Sequence, residues 1–250
     1  MTRTRRPLRE LPCDPEHLDL TYTHRQSFGA DAHGDTVEGW TVVVREYHEE
    51  WDECEGGCGT EACERFMEEG REIGELHLWR LRDRTGMSSW EVANDDGAWE
   101  LMSMLSPVLD PRTGAYSPAF QETVGRPDGD VLVLERVRLR EEWRGFGLGP
   151  ALAAEAIRRL SAGCCAVLTD PGMTDDWYWP GEAEGRPALR RGDAEGKLAA
   201  LCVSIGFRPF RNGVHLLDLS RRGPAEPHVP GRAHLRALSH GYYEADRAEE

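Results

Sequence analysis

Residues 131–160 read VLVLERVRLREEWRGFGLGPALAAEAIRRL, and this stretch decides the fold. Its first ten positions are strand-like: Val131, Val133, Val137 and Leu139 share one parity, with Arg136, Arg138 and Arg140 between or after the last of them. Glu135 falls in the parity of the apolar set. Next comes Arg144-Gly145-Phe146-Gly147-Leu148-Gly149. Beyond it Leu148, Leu152, Ala156 and Leu160 recur at the spacing of one helix face, with Arg158 and Arg159 on the wet side. Pro150 falls in the first turn, where a missing N–H costs nothing. The local order is strand, glycine turn, helix. Glycine lets the backbone turn sharply and lets a ligand approach N–H groups without a Cβ in the way. The helix start adds unpaired N–H groups and the positive end of its dipole, so the turn suits an anion such as a pyrophosphate. Arg144 adds a permanent charge at its edge.

Further segments extend the pattern in both directions. Residues 17–26, 40–47 and 73–81 alternate between Gly-containing breaks and predict three strands. Residues 88–107 predict one or two helical pieces with Trp99, Leu101 or Met102, and Leu105 on one side. Residues 164–169, CCAVLT, are wholly apolar, as a strand buried on both faces would be. Asp193 is placed to cap a helix carrying Leu198, Leu201, Cys202 and Ile205 and ending at Gly206. Residues 207–210 and 214–219 flank Asn212-Gly213, a strong hairpin signal.

The chain has 250 residues, with 30 Lys+Arg against 45 Asp+Glu and a formal charge of −15. That balance argues against general affinity for nucleic acid or anionic membrane, both polyanions. No apolar run approaches the ~20 residues that cross a bilayer, and the basic N-terminus lacks the apolar stretch of a secretory signal. Seven Cys, an odd number in a chain able to build a core, make a reducing cytoplasm the expected compartment. The expected organisation is a basic arm at 1–11, one domain at 12–220 with an acidic, Cys-containing insertion at 49–71, and a flexible tail at 221–250 docking at most a short helix near Ala233.

Three readings of the turn stand at this point. The first is a dinucleotide loop, with Asp170 at the end of the next strand as the ribose acid, although the spacing is G-x-G-x-G rather than G-x-G-x-x-G. The second is a structural turn without a ligand. The third rests on surroundings. Arg144-x-x-Gly147-x-Gly149 follows a strand with Val137-x-Leu139 and precedes, about fifty residues on, a helix ending in Gly206-Phe207 and a hairpin. Over residues 130–219 this order resembles the GNAT acetyltransferase superfamily.

The resemblance implies an α/β fold: a mixed, mostly antiparallel twisted sheet flanked by helices, with a central strand–glycine loop–helix site for acetyl-CoA. It implies that the amides of Arg144, Gly145, Phe146, Gly147, Leu148 and Gly149 hold the pyrophosphate, and that the backbone of Val137, Arg138 and Leu139 lies along the pantetheine arm and holds the thioester oxygen. Activity would be direct acetyl transfer to a primary amine on a small molecule or peptide. The different-class alternative is a non-catalytic acyl-CoA-binding regulator. An amine near pKa ~10.4 arrives as ammonium, so a base is needed; Glu135 is the candidate, on the supposition that it faces the apolar side, the alternatives being that a strand bulge flips its direction or that it only pairs with a nearby Arg. Family members often carry a Tyr as acid four residues before the Gly of the Gly-Phe pair; here Cys202 stands there and reads more simply as a core Cys, with Tyr178 on the preceding loop, or water, as a substitute. The helical stretch 88–107 comes after three strands rather than after the first, so the acceptor pocket does not carry over by position.

Cys54, Cys58 and Cys63 with His48 could close a zinc site, but their spacing is not that of a zinc ribbon, and a solvated acidic insertion is the plainer reading; no metal is expected. The aromatic run Trp177-Tyr178-Trp179 on a long loop reads as a lid. His77 and His215 read as ordinary strand residues. The acidic balance favours a cationic acceptor such as a polyamine, and a homodimer is left open.

Overall fold

The computed structural model describes residues 6–26, 32–47, 60–83, 85–95, 99–171, 199–220 and 231–247. Seven strands form one open sheet: β1 (Asp19–His24), β2 (Val37–Glu46), β3 (Arg71–Leu81), β4 (Asp130–Leu139), β5 (Cys164–Thr169), β6 (Arg208–Pro209) and β7 (His215–Asp218). Their spatial order is β1-β2-β3-β4-β5-β7-β6. Only β4 and β5 run parallel; every other neighbouring pair is antiparallel. A parallel pair needs a long crossover, and the helix after the glycine turn supplies it. The helices are α1 (Ala32–Thr36), α2 (Glu61–Glu69), α3 (Ser89–Asp95), α4 (Trp99–Leu105), α5 (Pro118–Thr123), α6 (Leu148–Leu160), α7 (199–204) and α8 (Gly231–Arg247).

The sheet buries both faces. On one, Leu76, Leu78, Leu132 and Leu134 meet Leu152, Ala156 and Ile157 of α6 and Leu238 of α8. On the other, Leu81, Val131 and Val133 meet Val92, Leu101, Leu105 and Phe120 of α3, α4 and α5. Each Leu, Ile, Val or Phe among these, withdrawn from water, contributes about 1.5–3 kcal/mol. β5 lies inside the sheet between β4 and β7, and its residues from Cys165 to Thr169 are all buried, as a doubly covered strand requires. At the far edge Asn212 and Gly213 take positive φ (52° and 83°), the backbone of a type I′ turn, and the Val214 N–H closes it on the Arg211 carbonyl at 2.9 Å.

One register shift changes the sequence reading. His77 pairs with Arg136 but Leu78 pairs with Leu134, so Glu135 is an extra residue on β4. A bulge of this kind reverses strand parity. Leu132 and Leu134 face α6 before it, and Val137 and Leu139 do so after it. Val131 and Val133 face the opposite cluster. The expectation that Val131, Val133, Glu135, Val137 and Leu139 share one face is therefore corrected.

Two regions carry more structure than their composition suggested. Within the acidic stretch 49–71, Thr60 caps α2, accepting the Cys63 N–H at 3.2 Å. The C-terminal region, expected as a tail, contains the 17-residue helix α8, which packs on α6. Its Ser239 hydroxyl donates to Asp14 Oδ2 at 2.9 Å in a buried contact, and its Arg232 reaches Glu155 of α6. Hydrogen bonds from Arg158 above all, with those from Arg232 added, hold the Glu155 carboxyl down at about 2 against the opposing effect of burial. Among the described residues no helix is long and apolar enough to cross a membrane.

Candidate functional site

The parallel ladder between β4 and β5 ends early. Its last pair is Val133 with Leu168, and the Thr169 hydroxyl then donates to the Leu134 carbonyl at 2.9 Å. β5 stops at Thr169 while β4 continues to Leu139 on the β3 side. Past the bulge, the other edge of β4 has no strand partner among the described residues. The strands thus open into a cleft, and a cavity of about 220 Å³ occupies it. β4 contributes Leu134, Glu135, Arg136, Val137 and Leu139 to its wall; the glycine turn and α6 contribute Arg144, Gly145, Gly147, Leu148 and Gly149; α7 and the turn after it contribute Leu201, Cys202 and Ile205. A half-exposed strand edge, a helix start and a glycine turn therefore converge on one space.

The three glycines answer to different needs. Gly145 and Gly147 take φ of +96° and +87°, a region costly to residues with a Cβ. A Cβ on Gly145 would also lie 2.9 Å from Arg6, and one on Gly147 would lie 2.9 Å from His234 Nε2. The turn is thus backed from outside by both terminal regions: the Arg6 guanidinium stands 5.2 Å above the Phe146 ring, and His234 belongs to α8. Gly149 is different. Its φ is ordinary, and a Cβ there would meet only Val137 Cγ1 at 3.9 Å, an ordinary contact. Neither backbone strain nor crowding among the described residues calls for glycine at this position. Leu148 and Gly149 open α6 after Gly147, where a helix leaves its N–H groups without intrahelical acceptors.

The polar groups around the cavity are specific. Arg144 Nε donates to the Leu139 carbonyl at 2.6 Å, which ties the turn to the end of β4. Glu135 accepts from Trp79 Nε1 at 2.7 Å and from Arg136 at 3.1 Å. Those two bonds use about half the acceptor sites of a carboxylate. Trp143 is fully buried and lines the cavity, and its indole N–H has no acceptor among the described residues. Sequence reasoning missed Trp143, because nothing in a lone Trp between two charges and a glycine turn marks it.

Cys202 lines the cavity, but burial pushes its thiol up to about 11. Proton transfer from such a thiol to a coenzyme thiolate, taken at the ordinary thiol value near ~8.5, is uphill by about 3 kcal/mol. Tyr178, Asp193, His48, Cys54 and Cys58 lie outside the described residues. Cys63 is buried on α2, and among the described residues no group of His, Cys, Asp or Glu is arranged to hold a metal.

No family model, curated protein or solved structure matches this chain. The site is therefore read from its own geometry. That geometry disfavours the dinucleotide reading, since a sheet with a single parallel pair is not doubly wound. Asp170, the expected ribose acid, is buried beside Gly213 of the hairpin.

Proposed function

We propose that the chain is an acetyl-CoA-dependent N-acetyltransferase with the GNAT arrangement, carrying a short acyl group directly to a primary amine. The observation that supports this reading best is Gly149. It is a glycine on the wall of the β4–β5 cleft that no strain and no contact among the described residues requires, and it leaves bare backbone where a diphosphate would sit on the helix start. The β4 edge that lacks a strand partner among the described residues supports it as well, because such an edge suits the amides of a pantetheine arm running down the cleft.

In this reading the residues divide the work as follows. The turn from Arg144 to Gly149 holds the diphosphate, and Arg144 fixes the turn by its bond to Leu139. β4 from Val137 to Leu139 aligns the arm and offers an N–H to the thioester oxygen as negative charge gathers there. Glu135, held at the mouth by Trp79 and Arg136, takes a proton from the incoming ammonium, directly or through one water. The amine lone pair attacks the thioester carbon, the C–S bond breaks, and the thiolate takes a proton. Cys202 is a poor donor for that last step, and solvent serves instead.

Calorimetry with acetyl-CoA, followed by a free-thiol assay over an amine panel, tests the proposal. Micromolar binding and acceptor-dependent thiol release are expected; stabilisation by NAD with none by CoA would overturn it. The acyl-CoA-binding regulator is the second reading, favoured by the ill-suited thiol of Cys202, and it predicts binding without release.

A further inference from the structure

The two edges of the sheet are finished differently. β6 is two residues long and ends in Pro209, which has no N–H to offer, so that edge is closed to another strand. β1 has none of the usual protections. It pairs with β2 along its whole length, Asp19 to His24, without a register shift, and it carries no Pro, no Lys and no bulge. Its other edge has no strand partner among the described residues. Asp19, Thr21 and Thr23 are exposed on one face of β1, and Arg25 just beyond the strand continues that row. Leu20 and Tyr22 turn the other way, against the cluster under α6. Asp19 stands across from Arg45 of β2, yet neither it nor Arg25 makes an ion pair among the described residues.

We infer that β1 pairs with β1 of a second copy of this chain, antiparallel about a two-fold axis through the two Tyr22 residues, so that one sheet runs through a homodimer. An axis perpendicular to the sheet keeps each face continuous, and the residues it sets opposite one another share parity. With Tyr22 on the axis, Thr21 of each copy stands opposite Thr23 of the other, a favourable cross-strand pair. Asp19 of each copy stands opposite Arg25 of the other, so opposite charges meet at both ends of the contact. A slip of two residues in either direction separates Asp19 from Arg25, so the charges fix the register. Exposed ion pairs contribute little affinity; these set orientation, while backbone hydrogen bonds along the edge hold the copies together. Each copy carries a formal charge of −15, which opposes association at long range. Residues 19–25 nevertheless hold one acid and one Arg, so the strands that meet are neutral. The remaining charge is screened beyond ~8 Å at physiological salt. The inference goes beyond the acyl-transfer reading and is independent of it: the β4–β5 cleft lies three strand positions from this edge and stays open.

Sedimentation of the full chain at concentrations up to about 200 µM tests the inference. A concentration-dependent shift from the monomer to twice its mass is expected, with a micromolar Kd, because one strand pair is a small contact for a protein interface. Arg25→Glu and Asp19→Lys each set like charges opposite one another at both ends of the contact, and each is expected to weaken self-association ten-fold or more. A mixture of the two variants restores both opposite-charge pairs in a dimer of one copy of each, and is expected to recover the parent Kd to within about three-fold. Both sites are exposed, so thermal melts of the variants should match the parent. Hydrogen exchange of the β1 amides at low and high concentration locates the contact, and slower exchange at high concentration is expected. A chain that stays monomeric overturns the inference; slow β1 amides in that monomer would mean that other residues of the same chain cover the edge. A dimer that is indifferent to both substitutions, or variants that mixing does not restore, would place the contact elsewhere and overturn it as well.

Discussion

Replacing Gly149 by Ala separates folding from ligand binding. Ordinary φ and a nearest neighbour at 3.9 Å mean that the added methyl group enters without strain. Within a helix, Ala is favoured over Gly by about 0.5–1 kcal/mol, partly because the unfolded chain has less freedom to lose. Gly149 lies in the first turn of α6, so the lower half of that range applies. For a chain of this length a gain of about 0.5 kcal/mol raises Tm by roughly 1–2 °C. The same methyl group projects from the cavity wall toward the space assigned to the diphosphate, where it keeps the phosphate oxygens from the Gly149 amide. Loss of one charge-assisted hydrogen bond, worth about 1.5–3 kcal/mol, weakens CoA binding by roughly ten- to more than hundred-fold. Thermal melts and calorimetric titration of acetyl-CoA on parent and variant are the assays. A variant that is as stable as the parent, or more so, and binds CoA with unchanged Kd would show that nothing approaches this glycine, and would remove the main support for the site.

Glu135→Gln keeps the acceptor for Trp79 but gives up the proton-taking group, so turnover should fall ten- to a thousand-fold with the acetyl-CoA Kd within two-fold, as single-turnover kinetics and calorimetry would report. Glu155 holds its proton less tightly folded than unfolded, so its stabilising effect is complete above about pH 4.5 and disappears as pH falls toward about 2. Because Arg159 and Arg232 are largely exposed, the Glu155→Gln cost is about 1–2 kcal/mol after solvent screening, and it should appear as earlier loss of hydrogen-exchange protection in α8. Burial raises Cys164 and Cys165 to about 12 and Cys202 to about 11, so peptide mapping after alkylation at pH 8 should find these three labelled at least about a hundred-fold more slowly in the folded chain than in urea. Asp130→Asn strips the charge from a pair in which Arg80 donates to it at 2.8 Å and the Asp83 N–H at 2.8 Å, and a denaturant titration should show a loss of about 2–4 kcal/mol.

The strands were legible wherever one residue pattern had one cause. β5 is apolar throughout because both faces are covered, and Asn212-Gly213 is a turn because few other pairs take positive φ twice. The glycine turn and α6 could be read for the same reason. What sequence could not give was anything set by a partner strand. The bulge at Glu135 exists only as a mismatch between β3 and β4, so alternation alone put Glu135 in the wrong company. α5 has its signal in plain view, Ser117 capping the Phe120 N–H with Pro118 in the first position, yet six residues show no periodicity to find. α8 was visible only as a short helix near Ala233; its full 17 residues were masked by charged composition and are held by docking on α6 and on the N-terminal segment that carries Asp14. At the site, the turn and Cys202 were visible as residues. The ion pair beside it was not, because Glu75 and Arg138 become neighbours only by strand pairing.

The placement of His234 and Arg6 behind the glycine turn has a bearing on biosynthesis. α8 lies far downstream of the turn it supports, so a nascent chain can complete the β4–α6–β5 unit well before anything braces Gly147 from outside. Until residues near 234 emerge and dock, Arg6 alone backs that loop from outside. Competence to take up ligand would then be acquired late, as the final act of maturation rather than as part of early collapse.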